Sequence, residues 1–317
     1  MSTKIAIITM VKDECDIIEL FVKVNSRSVD HIFVLDHNSQ DGTQQILLAM
    51  QAHGYPLTIF KHESADFQQA VLLSTLARKV AATNVYDFII PLDGDEFIHT
   101  PEGTLAEVLN EQIPADGSGL LPWVTYIPTH GDYLTAKAPL YEVFRKRSKE
   151  PDQVYKVVIR NEHAKNCVIA EGNHWVFIDG EMVEGTVLTS VLQHVPVRSV
   201  EQIKAKALLG SRRLSIKVGR HKEEQGVHWD RMAEKIRAAD YHLSPEEMLN
   251  MAFLYVAKPH QESDELSIDE DAPRIGLAKD EIELRDMSRI NLTKKFDQFM
   301  GDLCAELRKV RGIGDDQ

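Results

Sequence analysis

Short, unbroken apolar runs alternate with stretches of helical spacing through the first hundred residues. Ile5–Met10 is continuous in apolar residues apart from Thr9, the pattern of a strand buried on both faces. Ile17, Ile18, Phe21 and Val24 then recur at helical spacing. His31–Asp36 predicts a second strand, and Gln40-Asp41-Gly42-Thr43 opens a helix carrying Ile46, Leu47 and Met50 that stops at Gly54. Leu57–Phe60, a helix over Phe67–Ala82 and the strand Tyr86–Leu92 complete the alternation. Such alternation predicts a mainly parallel sheet covered on both faces, with ligands bound beyond the carboxyl ends of its strands.

The pattern changes after residue 100. Thr104–Gln112 is a short helix. Leu120–Ile127, Leu140–Arg147, Val154–Ile159, Gly172–Ile178 and Val187–Val195 read as an antiparallel extension of the sheet. From Val200 onward the chain is mainly helical, with Ser244-Pro245-Glu246-Glu247 as a capping box. In the last helix, over Arg289–Val310, an apolar stripe runs Leu292, Phe296, Phe299, Leu303, Leu307, Val310, and it is expected to dock on its own chain. The expected organisation is α/β: a catalytic domain over 1–225, a helical extension over 226–260, an acidic linker over 261–288 and a C-terminal amphipathic helix over 289–317.

Charge sharpens this division. Net charge is −13, which argues against a dedicated nucleic-acid binder. Between Arg198 and Lys222, however, eight basic residues face the single acid Glu201. That run suits a small anion such as a diphosphate. Three scattered cysteines without C-x-x-C spacing give no disulfide framework or zinc site and suit a reducing, cytoplasmic setting. No stretch has the length and apolarity of a spanning helix, and the first strand begins without a leader pattern.

Three polar clusters fall at the carboxyl ends of the expected parallel strands. Pro91-Leu-Asp93-Gly94-Asp95-Glu96-Phe97 follows the fourth strand. On an extended backbone Asp93 and Asp95 share a side, and oxygen ligands so spaced can hold Mg²⁺ or Mn²⁺ with a diphosphate. The plain alternative is a solvated turn. Val34-Leu-Asp36-His-Asn-Ser39-Gln-Asp41-Gly-Thr43 follows the second strand: Asp36 is placed to accept from ribose hydroxyls or a base, while Ser39 and Asp41 suit helix capping. Met10-Val11-Lys12-Asp13-Glu14 follows the first strand and taken alone reads as a polar helix start.

Together, in this order and spacing over about residues 4–100, these clusters resemble the family 2 glycosyltransferases, most closely a bacterial subgroup with vkNE, vDngStDgt and lDaDEFl patterns. Asp13 departs from it, standing where the subgroup commonly has Asn. The resemblance implies a GT-A fold, a nucleotide-sugar donor and a divalent cation. It implies that Val11, Asp13, Glu14 and Asp36 line the nucleoside pocket and that Asp93, Gly94 and Asp95 meet ribose and metal. Leu192-Gln-His194-Val-Pro-Val-Arg198-Ser199, followed by Lys204, is similar to that subgroup's HyPvRSxeqfxxK segment. This makes His194 a further metal ligand, Ser199 a helix cap, and Arg198 and Lys204 cations for the leaving diphosphate. Glu171-Gly172-Asn173-His174-Trp175 is a candidate sugar wall or a turn with a core Trp.

Inverting transfer, an expectation from the resemblance, needs a general base. Glu142, Asp132 and Glu171 are the candidates, in that order. The expected acceptor is a hydroxyl of a saccharide or glycoconjugate. Lys206, Gly210, Arg213 and Lys217 share one helical face, read as solvated surface or as a contact for an anionic acceptor or peripheral phospholipid. Two other classes compete: a nucleotidyltransferase, which usually carries a Gly-rich phosphate loop that Ile7–Asp13 lacks, and a sugar- or nucleotide-binding protein without catalysis.

Overall fold

A computed structural model describes residues 2–63, 68–128, 144–216, 226–256, 267–275 and 294–311. Parallel strands β1 (Ile5–Val11), β2 (His31–Asp36), β3 (Leu57–Lys61) and β4 (Phe88–Leu92) stand in the order β3-β2-β1-β4. Helices α1 (Ile18–Asn25), α2 (Thr43–Ala52) and α3 (Gln69–Ala81) connect them. Central β1 is buried at every position, as its unbroken apolar run requires. One face packs on α1 and α2, where Phe21, Ile32 and Leu47 are sealed from water; the other packs on α3 through Ala6, Ile8, Leu73 and Ala77. The fold class is therefore as expected: mixed α/β, a mostly parallel central sheet, an antiparallel extension and a helical C-terminal part.

The extension begins with β5 (Glu96–His99) and α4 (Leu105–Gln112), the latter started by a Thr104/Glu107 capping box. Next come β6 (Ser118–Pro128), β7 (Phe144–Arg147) and β8 (Tyr155–Arg160), with β8 inserted antiparallel between β4 and β6. After the helical turn α5 (Asn161–Ala164), strands β9 (Cys167–Ile169), β10 (Val176–Ile178) and β11 (Glu181–Met182) form a separate small sheet beside α3. The expected strand Gly172–Ile178 thus starts late, because Glu171–Asn173 coils into a 3-10 turn with Gly172 at φ +72°. The expected Val187–Val195 strand divides into β12 (Gly185–Val187) and β13 (Val191–His194), both parallel to β6. β13 also pairs with β5, placing His194 opposite Glu96. Asn25 satisfies the other edge of β5, donating to the Glu96 carbonyl at 3.0 Å and accepting from Ile98 N at 2.9 Å.

Helices α6 (Val200–Ser215), α7 (Val227–Ala238) and α8 (Pro245–Phe253) follow, α8 with the expected Ser244/Glu247 capping box. The described part of the acidic segment is docked rather than a loose tether. β14 (Ile268–Asp269) caps the β7 edge, the Tyr126 hydroxyl donates to the Pro273 carbonyl, and Ile275 is fully buried. The exposed ladder of β7 and the Lys146–Asp269 pair, 3.3 Å apart, explain why an acidic stretch adheres there.

The last helix, α9 (Lys294–Arg311), lies on its own chain against α6, while the Phe296 and Phe299 side chains of the expected stripe lie outside the described residues. Leu303 is 43% exposed and Val310 83%, whereas Asp297 and Cys304 are buried. Leu292 lies outside the described residues. Asp297 accepts from Arg212 Nε (3.1 Å), Arg237 Nε (2.9 Å) and the Tyr241 hydroxyl (2.7 Å). Gly301 lets the helix close down, since a Cβ there would stand 2.7 Å from Arg212 Nη2. None of the three buried cysteines forms a disulfide, and no described helix is long and apolar enough to cross a membrane.

Burial opposes the Asp297 charge, but Arg237, Tyr241 and Arg212 outweigh it and hold the carboxyl down at about 2. This contribution is complete above the ordinary carboxylate value near ~4 and is lost only as pH falls toward the folded value. Asp297→Ala leaves the Arg212 and Arg237 guanidiniums, each about a quarter exposed, without their anion. A loss of about 1.5–3 kcal/mol is expected in denaturant melts at neutral pH. A loss below about 1 kcal/mol would mean that the helix is held by something else.

Candidate active site

A cavity of about 590 Å³ opens at the carboxyl ends of β1 and β4 and is closed on its far side by α6, α7 and the segment after α8. The acidic cluster forms its floor. After Leu92 the backbone turns at once, the Glu96 amide hydrogen-bonding the Asp93 carbonyl at 3.2 Å, so Asp93 and Asp95 do not share a side as extended spacing implied. Gly94 permits the turn to lie against β1, because a Cβ there would be 3.1 Å from Val11 Cγ1.

The two carboxylates therefore enter different ion pairs. Asp93 receives Lys156 Nζ at 2.5 Å and Gln69 Nε2 at 2.8 Å. Asp95, 2% exposed, receives Lys206 Nζ at 2.7 Å and Arg198 Nη1 at 3.4 Å. Burial alone would raise the Asp95 carboxyl; Lys206, His194 and Arg198 overcome it and hold it well below the usual range. Burial likewise works against the Lys206 charge, but Asp95 and Glu14 outweigh it and raise the ammonium above its ordinary value.

His194 reaches this floor through strand register. It pairs with Glu96 across β5 and with Thr125 across β6, and Val195 N donates to the Asp95 carbonyl at 2.9 Å. Its ring stacks on Trp123, centroids 4.1 Å apart, with Tyr255 edge-on at 5.5 Å. Trp123 is aimed in turn by Glu96, whose Oε1 accepts from the indole N–H at 2.6 Å. Burial pushes the His194 imidazole down to about 3, so it is neutral in the physiological range. Burial, with Asp93 and Asp95 nearby, pushes the Glu96 carboxyl up to about 8 against the pull of Lys156.

The donor set bears on a divalent cation. His194 Nε2 lies 3.7 Å from Asp95 Oδ1, a span one ion with ~2.1 Å ligand distances bridges, and a neutral imidazole is the ligating form. His194 Nδ1 is buried without a hydrogen-bond partner. Among the described residues no three His, Cys, Asp or Glu side chains converge on one ion. Mg²⁺-type sites are commonly built in this way, from one or two protein ligands completed by substrate phosphate. Asp95 and His194 stand close enough for such a half-site, while Asp93 is paired with Lys156 and Gln69.

The remaining candidates divide. Asp13 and Glu14 line the cavity, Asp13 at φ 57° accepting from Gln40 N at 2.7 Å. Val11 and Asp36 do not line it: both are buried beneath the loops, and Asp36 Oδ1 accepts from Ser39 N while Oδ2 has no partner. Ser39 and Asp41 tie loops together, accepting from Asp13 N at 3.0 Å and Cys15 N at 3.1 Å. Ser199 caps α6 by accepting from Gln202 N. Arg198 lines the cavity but is committed to Glu14, Asp16 and Asp95, with Nε–Asp16 at 2.7 Å. Lys204 turns away to Glu201 at 3.3 Å. Glu171 is exposed at the cavity mouth, whereas Asp132 and Glu142 lie outside the described residues. His174 donates to the Tyr155 carbonyl through Nδ1 (2.7 Å) and also lines the cavity.

Sequence reasoning missed Lys156, Trp123 and Asp16, which carry no motif signal of their own. Lys206 and Arg213 were legible as a basic helical face, yet that face is turned into the cavity rather than to solvent. Lys217 of the same stripe lies outside the described residues. The Arg213 guanidinium is in no ion pair among the described residues, and desolvation lowers its pKa, with Asp13 the opposing charge.

No family model matches the chain, and no curated protein matches it in sequence. Among solved structures, 80% of the chain is similar to 73% of S. aureus TarS 1–349, at 12% identity and TM-score 0.36. A 39% portion is similar to 43% of glucosyl-3-phosphoglycerate synthase from Mycobacterium tuberculosis, solved with Mn²⁺, uridine diphosphate and glucosyl-3-phosphoglycerate, at 16% identity and TM-score 0.24. A 51% portion is similar to 73% of a Bacillus anthracis protein described as a glucose-1-phosphate thymidylyltransferase in complex with sucrose, at 10% identity and TM-score 0.30. Likenesses of this strength carry nothing about the activity of this chain.

The ion pairs separate two arginine-lysine substitutions that the sequence treats alike. Arg198→Ala strips the shared cation from Glu14, Asp16 and Asp95 and is expected to cost about 3–5 kcal/mol of stability. Lys204→Ala breaks only a half-exposed pair and is expected to shift stability by under about 1 kcal/mol, leaving ligand affinity unchanged. Denaturant melts of both variants check this; equal effects would refute the division.

Proposed function

We propose that the chain is a glycosyltransferase of GT-A type, moving a sugar from a nucleotide-sugar donor to a hydroxyl of a saccharide or glycoconjugate acceptor. The observation that carries this reading is the charge layout of one cavity: carboxylates of the turn after β4 on its floor, cationic Lys206 and Arg213 of α6 opposite, and the Trp229 face beside them. A ligand that joins an anionic diphosphate to a neutral, hydroxyl-rich sugar matches that layout. The motif order at the carboxyl ends of β1, β2 and β4 supports the same reading.

Within it, Arg213 takes a diphosphate oxygen: it lines the cavity, and among the described residues its guanidinium is in no ion pair, with Asp13 the nearby opposing charge. Asp93, fixed by Lys156, faces the ribose side, and Asp13 borders the nucleoside. Asp95 and His194 would hold Mn²⁺ or Mg²⁺, which when bound supplies positive charge to the leaving diphosphate. Glu171, at the mouth, is the described carboxylate placed to take the proton of the attacking hydroxyl. Inversion follows from the family resemblance, as in-line attack opposite the leaving group.

Release of nucleoside diphosphate from a panel of nucleotide-sugars, with Mn²⁺ and a glycan library, tests the reading. Arg213→Ala and Asp95→Asn are each expected to weaken donor binding by roughly 10- to 100-fold, the worth of one charged hydrogen bond. Pyrophosphate release from a nucleoside triphosphate and a sugar phosphate would instead establish nucleotidyl transfer. Binding without turnover under any acceptor would leave a binding protein.

A further inference from the structure

Asp95 is buried and carries a single negative charge, yet two cations meet it on one oxygen. Lys206 Nζ stands 2.7 Å from Oδ2 and Arg198 Nη1 3.4 Å from the same atom. Lys206 also reaches Glu14 Oε1 at 3.5 Å and lies 5.7 Å from the Trp229 ring centroid. His194 faces the other oxygen. An ion bridging His194 and Oδ1 would therefore face the ammonium across one carboxylate and compete with it for a single negative charge.

The two cations differ in what retains them. Arg198 is 1% exposed, and Glu14, Asp16, Asp95 and the Val195 carbonyl engage its guanidinium from several directions. Lys206 hangs on a flexible four-carbon stem, and its side chain is 27% exposed into the cavity. It can leave Asp95 without moving the backbone of α6.

We propose that Lys206 is a built-in cation that neutralises the metal-binding carboxylate of Asp95 in the free protein and releases it when a nucleoside diphosphate arrives. This rests on the donor-binding reading above. In the free protein, a strongly hydrated divalent ion gains too little from Asp95 and His194 to displace an ammonium beside Arg198. An entering diphosphate gives the Lys206 ammonium a second anionic partner next to Arg213 and brings the oxygens that the half-site lacks. Metal and nucleotide then bind cooperatively, each raising the affinity of the other by the same factor.

Titration of the full-length protein with Mn²⁺ alone, followed by the electron paramagnetic resonance of free Mn²⁺, tests this without turnover. Lys206→Met is expected to bind Mn²⁺ roughly 10-fold or more tightly than the unmodified protein, and Lys206→Arg to stay as weak as the unmodified protein. Adding Asp95→Asn to Lys206→Met should abolish the gain, which places the ion. Should Lys206→Met fold poorly, Lys206→Gln gives the same reading. Mn²⁺ affinity that is unchanged or lower without the Lys206 charge overturns the proposal, as does a gain that survives Asp95→Asn. Failure of the donor reading looks different: no nucleotide-sugar binds at all, whatever the Mn²⁺ titrations give.

Discussion

Arg198 ties its own segment to two distant stretches of the chain, sealed from water among Glu14, Asp16, Asp95 and the Val195 carbonyl. Removing such ions from water costs several kcal/mol each, and only near-complete pairing offsets it. The turn after β1, the turn after β4, the end of β13 and the start of α6 are therefore held in one relative placement. A shift of any one of them leaves a buried charge without its partner. Because α6 starts from this clamp, its next turns run along the cavity, and Lys206, about two turns on, arrives over Asp95.

A second, mainly aromatic chain of contacts positions the remaining ligand-type group. Glu96 accepts from the Trp123 indole, Trp123 stacks on His194, and His194 faces Asp95. Lys156 stands 5.3 Å from the Trp123 ring and pairs with Asp93, so the same indole links both acidic positions. Each member is too buried to move alone. The neutral state of His194 follows from that burial. What remains adjustable in the cavity are the side chains on its helical wall.

That wall is itself held from behind. Asp297 of α9 gathers Arg212 of α6 with Arg237 and Tyr241 at the end of α7, joining the two helices whose other faces line the cavity. The C-terminal helix thus bears on the site through a buried carboxylate, while Leu303 and Val310 of its apolar stripe stay exposed.

Local signals were enough for the parallel half of the fold. Unbroken apolar strands, helical spacing and the turn residues after β2 and β4 act over a few residues, and β1 to β4, their helices and the capping box of α8 follow from them. The placement of Asp93, Asp95, Asp13 and Glu14 beside one cavity was legible in the same way, because the carboxyl ends of parallel strands share one edge. Partner choice was not legible. Asp36 carries a motif yet is buried under its own loop, Arg198 is spent on the clamp, and Lys204 and Lys206, two residues apart on α6, face different surroundings. The sequence by itself determined which elements form and which residue types gather at the sheet edge. Only the tertiary structure decided which charge meets which around Asp95 and Arg198, since those pairings join residues about a hundred or more positions apart and are set by strand register and helix docking.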